Sequence, residues 1–212
     1  MHKPLFSMLG SAVLLATAPA GAVTLTFEDL AVGTILSNQY AASGAVFSAN
    51  AFTGPGSSTS GEPWATNTDM TIVSSAGTDI GGLGSPPLVS GNILRSFAGW
   101  LSEDGDASFK VSFTTPVNSF SAAFAGVSTS ADVTLYAYNG SSLLGTVSGT
   151  ATGQFVLSFA AASITSVAVR PGSFNDWVGV DNITFAPVPE PGTYALMAMG
   201  VGLLAFRLRG RA

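Results

Sequence analysis

Ser108-Phe109-Lys110-Val111-Ser112-Phe113 decides the fold class, because apolar and polar side chains strictly alternate along it. A period of two sends successive side chains to opposite faces of an extended chain, which is the signature of a half-buried β-strand. The same alternation recurs in Val23-Thr24-Leu25-Thr26-Phe27-Glu28 and in Val133-Thr134-Leu135-Tyr136-Ala137-Tyr138. Further strands are predicted over Ala45 to Ala49, Met70 to Ser74, Val117 to Gly126, Leu143 to Ser148, Gln154 to Phe159, Ile164 to Arg170 and Val178 to Phe185. No stretch of the body carries the 3.6-residue period of an amphipathic helix. Turn residues fall between the runs, at Asn139-Gly140, Gly153 and Pro171-Gly172, where antiparallel connections need them.

About ten short strands punctuated by Gly, Pro and Ser predict an all-β domain over residues 23–186. The expected architecture is a two-sheet antiparallel β-sandwich of jelly-roll type. A right-handed β-helix is the competing architecture, although no fixed repeat supports it. Two Gly/Ser/Pro-rich stretches, Thr53 to Pro63 and Ser75 to Gly91, are too long for hairpin turns and read as surface loops.

Both ends of the chain have a different character from the body. Lys3, the apolar run Leu5 to Ala16 and the small-x-small pairs Ala18-Pro19-Ala20 or Ala20-Gly21-Ala22 read as an N-terminal signal helix, with cleavage expected after Ala22. At the other end Pro189-Glu190-Pro191 precedes fourteen uncharged residues, Thr193 to Phe206, and then Arg207, Arg209 and Arg211. A full membrane span takes about 20 residues. The run is therefore a short transmembrane helix, whose arginines snorkel to the headgroups and favour the cytoplasmic side. A buried C-terminal helix of a soluble domain is the alternative.

The tail, residues 187–212, resembles the PEP-CTERM sorting signal of Gram-negative bacteria in its Pro-Glu-Pro triplet, greasy segment and Arg-rich end. The same tail also circulates as the "ice-binding protein C-terminal domain", a label that says nothing about ice. The resemblance implies recognition by an exosortase at the inner membrane. It also implies export by the Sec route and a destination at the cell surface or in an extracellular matrix rich in exopolysaccharide. Within the body, Leu25-Thr26-Phe27-Glu28-Asp29-Leu30, Gln39-Tyr40, Gly44-Ala45-Val46-Phe47 and Val180-Asp181-Asn182-Ile183-Thr184-Phe185 are similar to β-sandwich domains of other such proteins.

Composition narrows the chemistry. The chain has no cysteine, and its one histidine is His2, inside the predicted signal peptide. An exported body without either cannot build Ser-His-Asp or Cys-His nucleophiles, His- or Cys-ligated zinc, or disulfides. Residues 23–188 carry eleven acids against three bases, a formal charge of −8. Nucleic acid is thereby an unfavourable partner, since phosphate recognition needs a basic surface. Carboxylates, hydroxyls, amides and hard cations remain.

Three constellations could use that chemistry. Asp29 is in phase with Val23, Leu25 and Phe27, and Asp181 with Ile183 and Phe185, so both acids are expected to face inward. Asp29 or Glu28, with Asp181 and backbone carbonyls, forms a candidate structural calcium site; the competing reading has Asp181 accepting from backbone amides at a strand-end turn. Glu103-Asp104-Gly105-Asp106 is a second acidic group, without the ligand series of an EF-hand loop. Tyr136 and Tyr138, opposite Leu135 on their strand, with Trp64 in a loop, are candidate rings for stacking on sugars; core packing is the alternative for such aromatics. The expected function is that of a non-catalytic surface or matrix protein that binds polysaccharide. A hydrolase using paired carboxylates is the alternative.

Overall fold

The computed structural model describes residues 21–49, 70–76, 85–97, 109–127, 133–170 and 177–188, together with 199–201 and 207 in the tail. The chain divides into two compact units, Gly21–Val188 and the pair of chain ends, Met1–Ala20 with Pro189–Ala212. In the tail, Met199, Gly200, Val201 and Arg207 are helical. No helix among the described residues is long and apolar enough to cross a membrane.

The body is all β. Its strands are β1 (Val23–Leu25), β2 (Ala45–Ala49), β3 (Thr71–Ser74), β4 (Asn92–Phe97), β5 (Phe109–Val127), β6 (Thr134–Asn139), β7 (Ser142–Ser148), β8 (Gly153–Arg170) and β9 (Trp177–Pro187), with one 3-10 turn at Ala41–Ser43. They form a sheet in the order β3-β4-β9-β5-β8-β6-β7, with β1 added to β9 and β2 to β5. Every pairing among these strands is antiparallel, which disposes of the β-helix alternative.

Two very long strands organise the sheet, and each reads in the sequence as two short ones. β5 spans 19 residues and β8 spans 18. Their mutual register is broken in mid-strand between Ser112 and Val117 and between Val117 and Ser119, and again near the end of β5 between Ala125 and Val127. Pro116, which has no N–H to give a ladder, lies in the first break. Ser163, at φ 60, lies in the second, where β8 carries the surplus residues. Each strand therefore changes direction at the same level, and the sheet divides into two wings. One wing pairs Phe109–Ser112 with Ser166–Val169 and carries β2 on one side and β6 and β7 on the other. The other pairs Ser119–Val127 with Gly153–Ala160 and carries β9, β4, β3 and β1.

The main buried cluster draws on both wings. Phe109, Val111, Leu135, Val167 and Val169 come from one, while Phe120, Phe124, Leu157, Val180 and Phe185 come from the other. Aromatic edges knit it together: Phe113 stacks at 5.1 Å from Phe185 and 6.1 Å from Phe120, and Phe47 lies 6.3 Å from Phe109. Each fully buried Phe contributes roughly 1.5–3 kcal/mol through the apolar surface it removes from water. A second, smaller cluster of Val89, Ile93, Ala123 and Ala125 lies apart from the first. It fixes the segment running into β4 against the small side chains of β5.

Candidate functional site at the β9 bulge

β9 changes its outer neighbour partway along its length. Up to Val180, which faces Leu94, the neighbour is β4; from Ile183, which faces Leu25, it is β1. Asp181 and Asn182 occupy the interval, and a bulge against β5 falls at the same place, between the Ser121–Thr184 and Ala123–Asp181 pairs. Asn182 takes up the extra residue in the left-handed region at φ 51, a conformation Asn tolerates better than most residues.

The bulge turns Asp181 into an acceptor for amides. Its side chain is buried, with 2% exposure. Oδ1 accepts the Asn182 backbone N–H at 2.6 Å, and Oδ2 accepts the Ser90 N–H at 3.2 Å and the Asn182 side-chain amide at 3.3 Å. Burial raises its pKa, the Asn182 and Ser90 hydrogen bonds oppose that rise, and the charge of Glu28 adds to it. The balance leaves the carboxyl pushed up to about 6. The Asn182 amide also donates to the Leu88 carbonyl at 3.0 Å.

The neighbouring acids are engaged in a similar way. Glu28 accepts the Asn92 N–H at 3.1 Å, and the Asn92 side chain donates to the Leu30 carbonyl at 2.8 Å. The Glu28 carboxylate lies over Gly91, at φ 67, where a Cβ would collide with it. Asp29 accepts the Tyr40 hydroxyl at 2.5 Å. Tyr40 is itself buried, its ring 5.9 Å from Phe27 and 6.4 Å from Phe47. Desolvation, then the bond to Asp29 and the charges of Asp29 and Asp181, hold its hydroxyl well above the usual phenol range.

Gln154, on β8, completes the tethering of the segment that precedes β4. Its carbonyl oxygen accepts the Leu88 N–H at 2.7 Å, and its amide donates to the Pro86 carbonyl at 2.6 Å. Side chains from three parts of the chain (Glu28, Gln154 and the Asp181-Asn182 pair) thus hold Pro86 to Asn92 in place.

The sequence-derived sites fare differently from one another. Asp181 is buried, but Glu28 and Asp29 are exposed. The inward phase expected for Asp29 fails because β1 ends at Leu25 and Phe27 turns to φ 61. Among the described residues no three His, Cys, Asp or Glu side chains form a group able to hold a metal ion. The amide-accepting alternative for Asp181 matches its contacts. Tyr138 is buried at 8% exposure, because a register shift between Ala137 and Tyr138 interrupts the alternation, while Tyr136 is half-buried. The two tyrosines therefore do not form a shared exposed stacking face. Trp64 and the acidic group Glu103 to Asp106 lie outside the described residues, as do Pro189, Glu190, Pro191, Arg209 and Arg211; Arg207 is helical and exposed. Sequence reasoning missed the roles of Tyr40, Ser90, Gln154 and Asn182, since their partners lie 11, 91, 66 and 94 positions away.

Comparison with known proteins identifies the tail motif and gives the body a distant structural likeness. Residues 187–212 match the family model of the PEP-CTERM protein-sorting motif, which implies processing by an exosortase and export to the cell envelope or surface. No curated protein matches the chain. Among solved structures, the K2 cleaved adhesin domain of Lys-gingipain is similar at a TM-score of 0.44 and 12% identity, over 78% of this chain and 99% of that one.

Proposed function

We propose that this is an exported surface or matrix protein, delivered through the Sec route and processed by an exosortase at its tail, whose body binds rather than catalyses. The observation that carries the reading is the PEP-CTERM motif at residues 187–212. In it, the segment from Thr193 to Phe206 holds the chain in the inner membrane until processing, with Arg207, Arg209 and Arg211 on the cytoplasmic side. The bent sheet is taken as a two-layer sandwich, a reading supported by the main buried cluster, which draws on both wings.

The non-catalytic reading is supported by how the described acids are used. Asp181 and Glu28 accept backbone N–H groups and Asp29 accepts the Tyr40 hydroxyl, so each serves the fold. The alternative, a hydrolase with paired carboxylates, has no such support. Polysaccharide is the ligand class assigned to the body, with half-buried Tyr136 as the ring that meets it and the surrounding hydroxyls and amides as hydrogen-bond partners.

The deciding experiment is the intact mass of the protein recovered from membrane, surface matrix and medium of its host. A species that ends near Pro189 to Pro191 is expected. One that retains Arg211 in the inner membrane would make the tail a plain anchor and end the exosortase reading. For the body, retention on host polysaccharide is expected to fall with Tyr136→Ala, and unchanged retention removes that residue.

A further inference from the structure

The outer edge of β7 combines three properties that native sheet edges usually avoid together. β7 ends the sheet order, so its far side presents backbone N–H and C=O groups that no described strand pairs. The strand, Ser142-Leu143-Leu144-Gly145-Thr146-Val147-Ser148, has neither a charge nor a proline to blunt that edge. Leu143 and Leu144 are both exposed, at 41% and 38%, because the register shift against β6 places an extra residue there.

The surroundings extend the pattern. No charged residue occurs from Val133 to Val169, which covers β6, β7 and nearly all of β8, although residues 23–188 carry a formal charge of −8. The described acids, Glu28, Asp29 and Asp181, belong to β9 and the segment after β1 rather than to β6, β7 or β8, and salt screens repulsion beyond about 8 Å. The strand is also firmly backed. A Cβ at Gly145 would fall 2.9 Å from the Phe159 ring, so the two strands are in tight contact there.

We propose that β7 is a self-pairing edge through which two copies of this chain join their sheets antiparallel about a two-fold axis at Gly145. Backbone chemistry calls for a strand as occupant, and the sequence of β7 makes a second β7 fit. Pairing about Gly145 sets Ser142 opposite Ser148 and Leu143 opposite Val147, so hydroxyl meets hydroxyl and aliphatic meets aliphatic from both sides. An acidic partner strand would gain nothing from this uncharged edge. The inference is independent of what the body binds.

The test places a light-activated cross-linking residue at exposed Thr146 in the full chain, expressed in its exporting host. The expected product is a covalent dimer whose linkage maps to Ser142–Ser148 of a second copy. Leu144→Lys, and separately Thr146→Lys with the cross-linker moved to Ser148, should abolish that dimer while leaving the amount of exported protein unchanged. A cross-link to another protein, a link to a different segment of a second copy, the absence of any link, or a dimer that survives both lysines would overturn the proposal.

Discussion

The backbone N–H of Ser90 reaches the Asp181 carboxylate at 3.2 Å across 91 positions of sequence. That bond joins the segment ahead of β4 to the strand that β4 and β1 share. It also makes a strand irregularity the point at which three stretches of chain meet.

Asp181→Asn is expected to destabilise the body by about 1–3 kcal/mol, the cost of leaving a buried donor without an acceptor. One side-chain oxygen survives for the Asn182 N–H, but an amide NH2 then faces the Ser90 N–H and the Asn182 amide, which are donors too. Urea unfolding of the variant against the parent measures it; equal midpoints would show that Asp181 is not a structural acceptor.

The same residue gives a signed pH dependence. Its carboxyl moves from 3.8 to about 6 on folding, so the folded state holds the proton more tightly than the unfolded one. Its contribution to stability is fully present below about pH 4, is lost as pH rises through about 6, and is constant above, up to about 3 kcal/mol in all. The parent minus Asp181→Asn difference in unfolding free energy should therefore fall between pH 4 and 6.5. A difference that is flat or rises over that window would contradict the shift.

Tyr40→Phe keeps the ring in contact with Phe27 and Phe47 and removes only the bond to Asp29. Asp29 is exposed and regains water, so a loss of about 1 kcal/mol is expected. Tyr40→Ala should cost about 3–5 kcal/mol, because it also empties a core position. Denaturant unfolding of both variants separates the hydroxyl from the ring.

Gln154→Ala removes both hydrogen bonds to Pro86 and Leu88 while Val89 stays packed on Ala123 and Ala125. Local release is expected: amide exchange at Leu88 should accelerate markedly, with global stability changed by about 1 kcal/mol or less. Hydrogen exchange read residue by residue checks this, and an unchanged rate at Leu88 would mean that Gln154 does not hold the segment.

Alternation of apolar and polar residues makes most of the strands legible from the chain alone. The predicted Ala45 to Ala49 coincides with β2, and the predictions for β3, β7 and β9 overlap the observed strands. β4 escapes because it is covered on both sides: Ile93 joins the small cluster and its neighbour Leu94 the main one, so no polar residue alternates between them. β5 and β8 each read as two strands, since Pro116 and the surplus residues around Ser163 resemble strand ends when only one chain segment is in view. At the site, burial of Asp181 is readable from its neighbours, whereas the exposure of Asp29 depends on the turn at Phe27 that the alternation hides.

β9 is the last strand of the body, yet it lies inside the sheet, with β5 on one side and β4 and β1 on the other. Three earlier strands thus wait for the one that is made last. If the chain is exported unfolded, by the route proposed above, this sheet cannot be completed until Pro187 has emerged, so closure of the fold and arrival of the sorting motif are nearly one event. A cut made upstream of β9 would release a body without its middle.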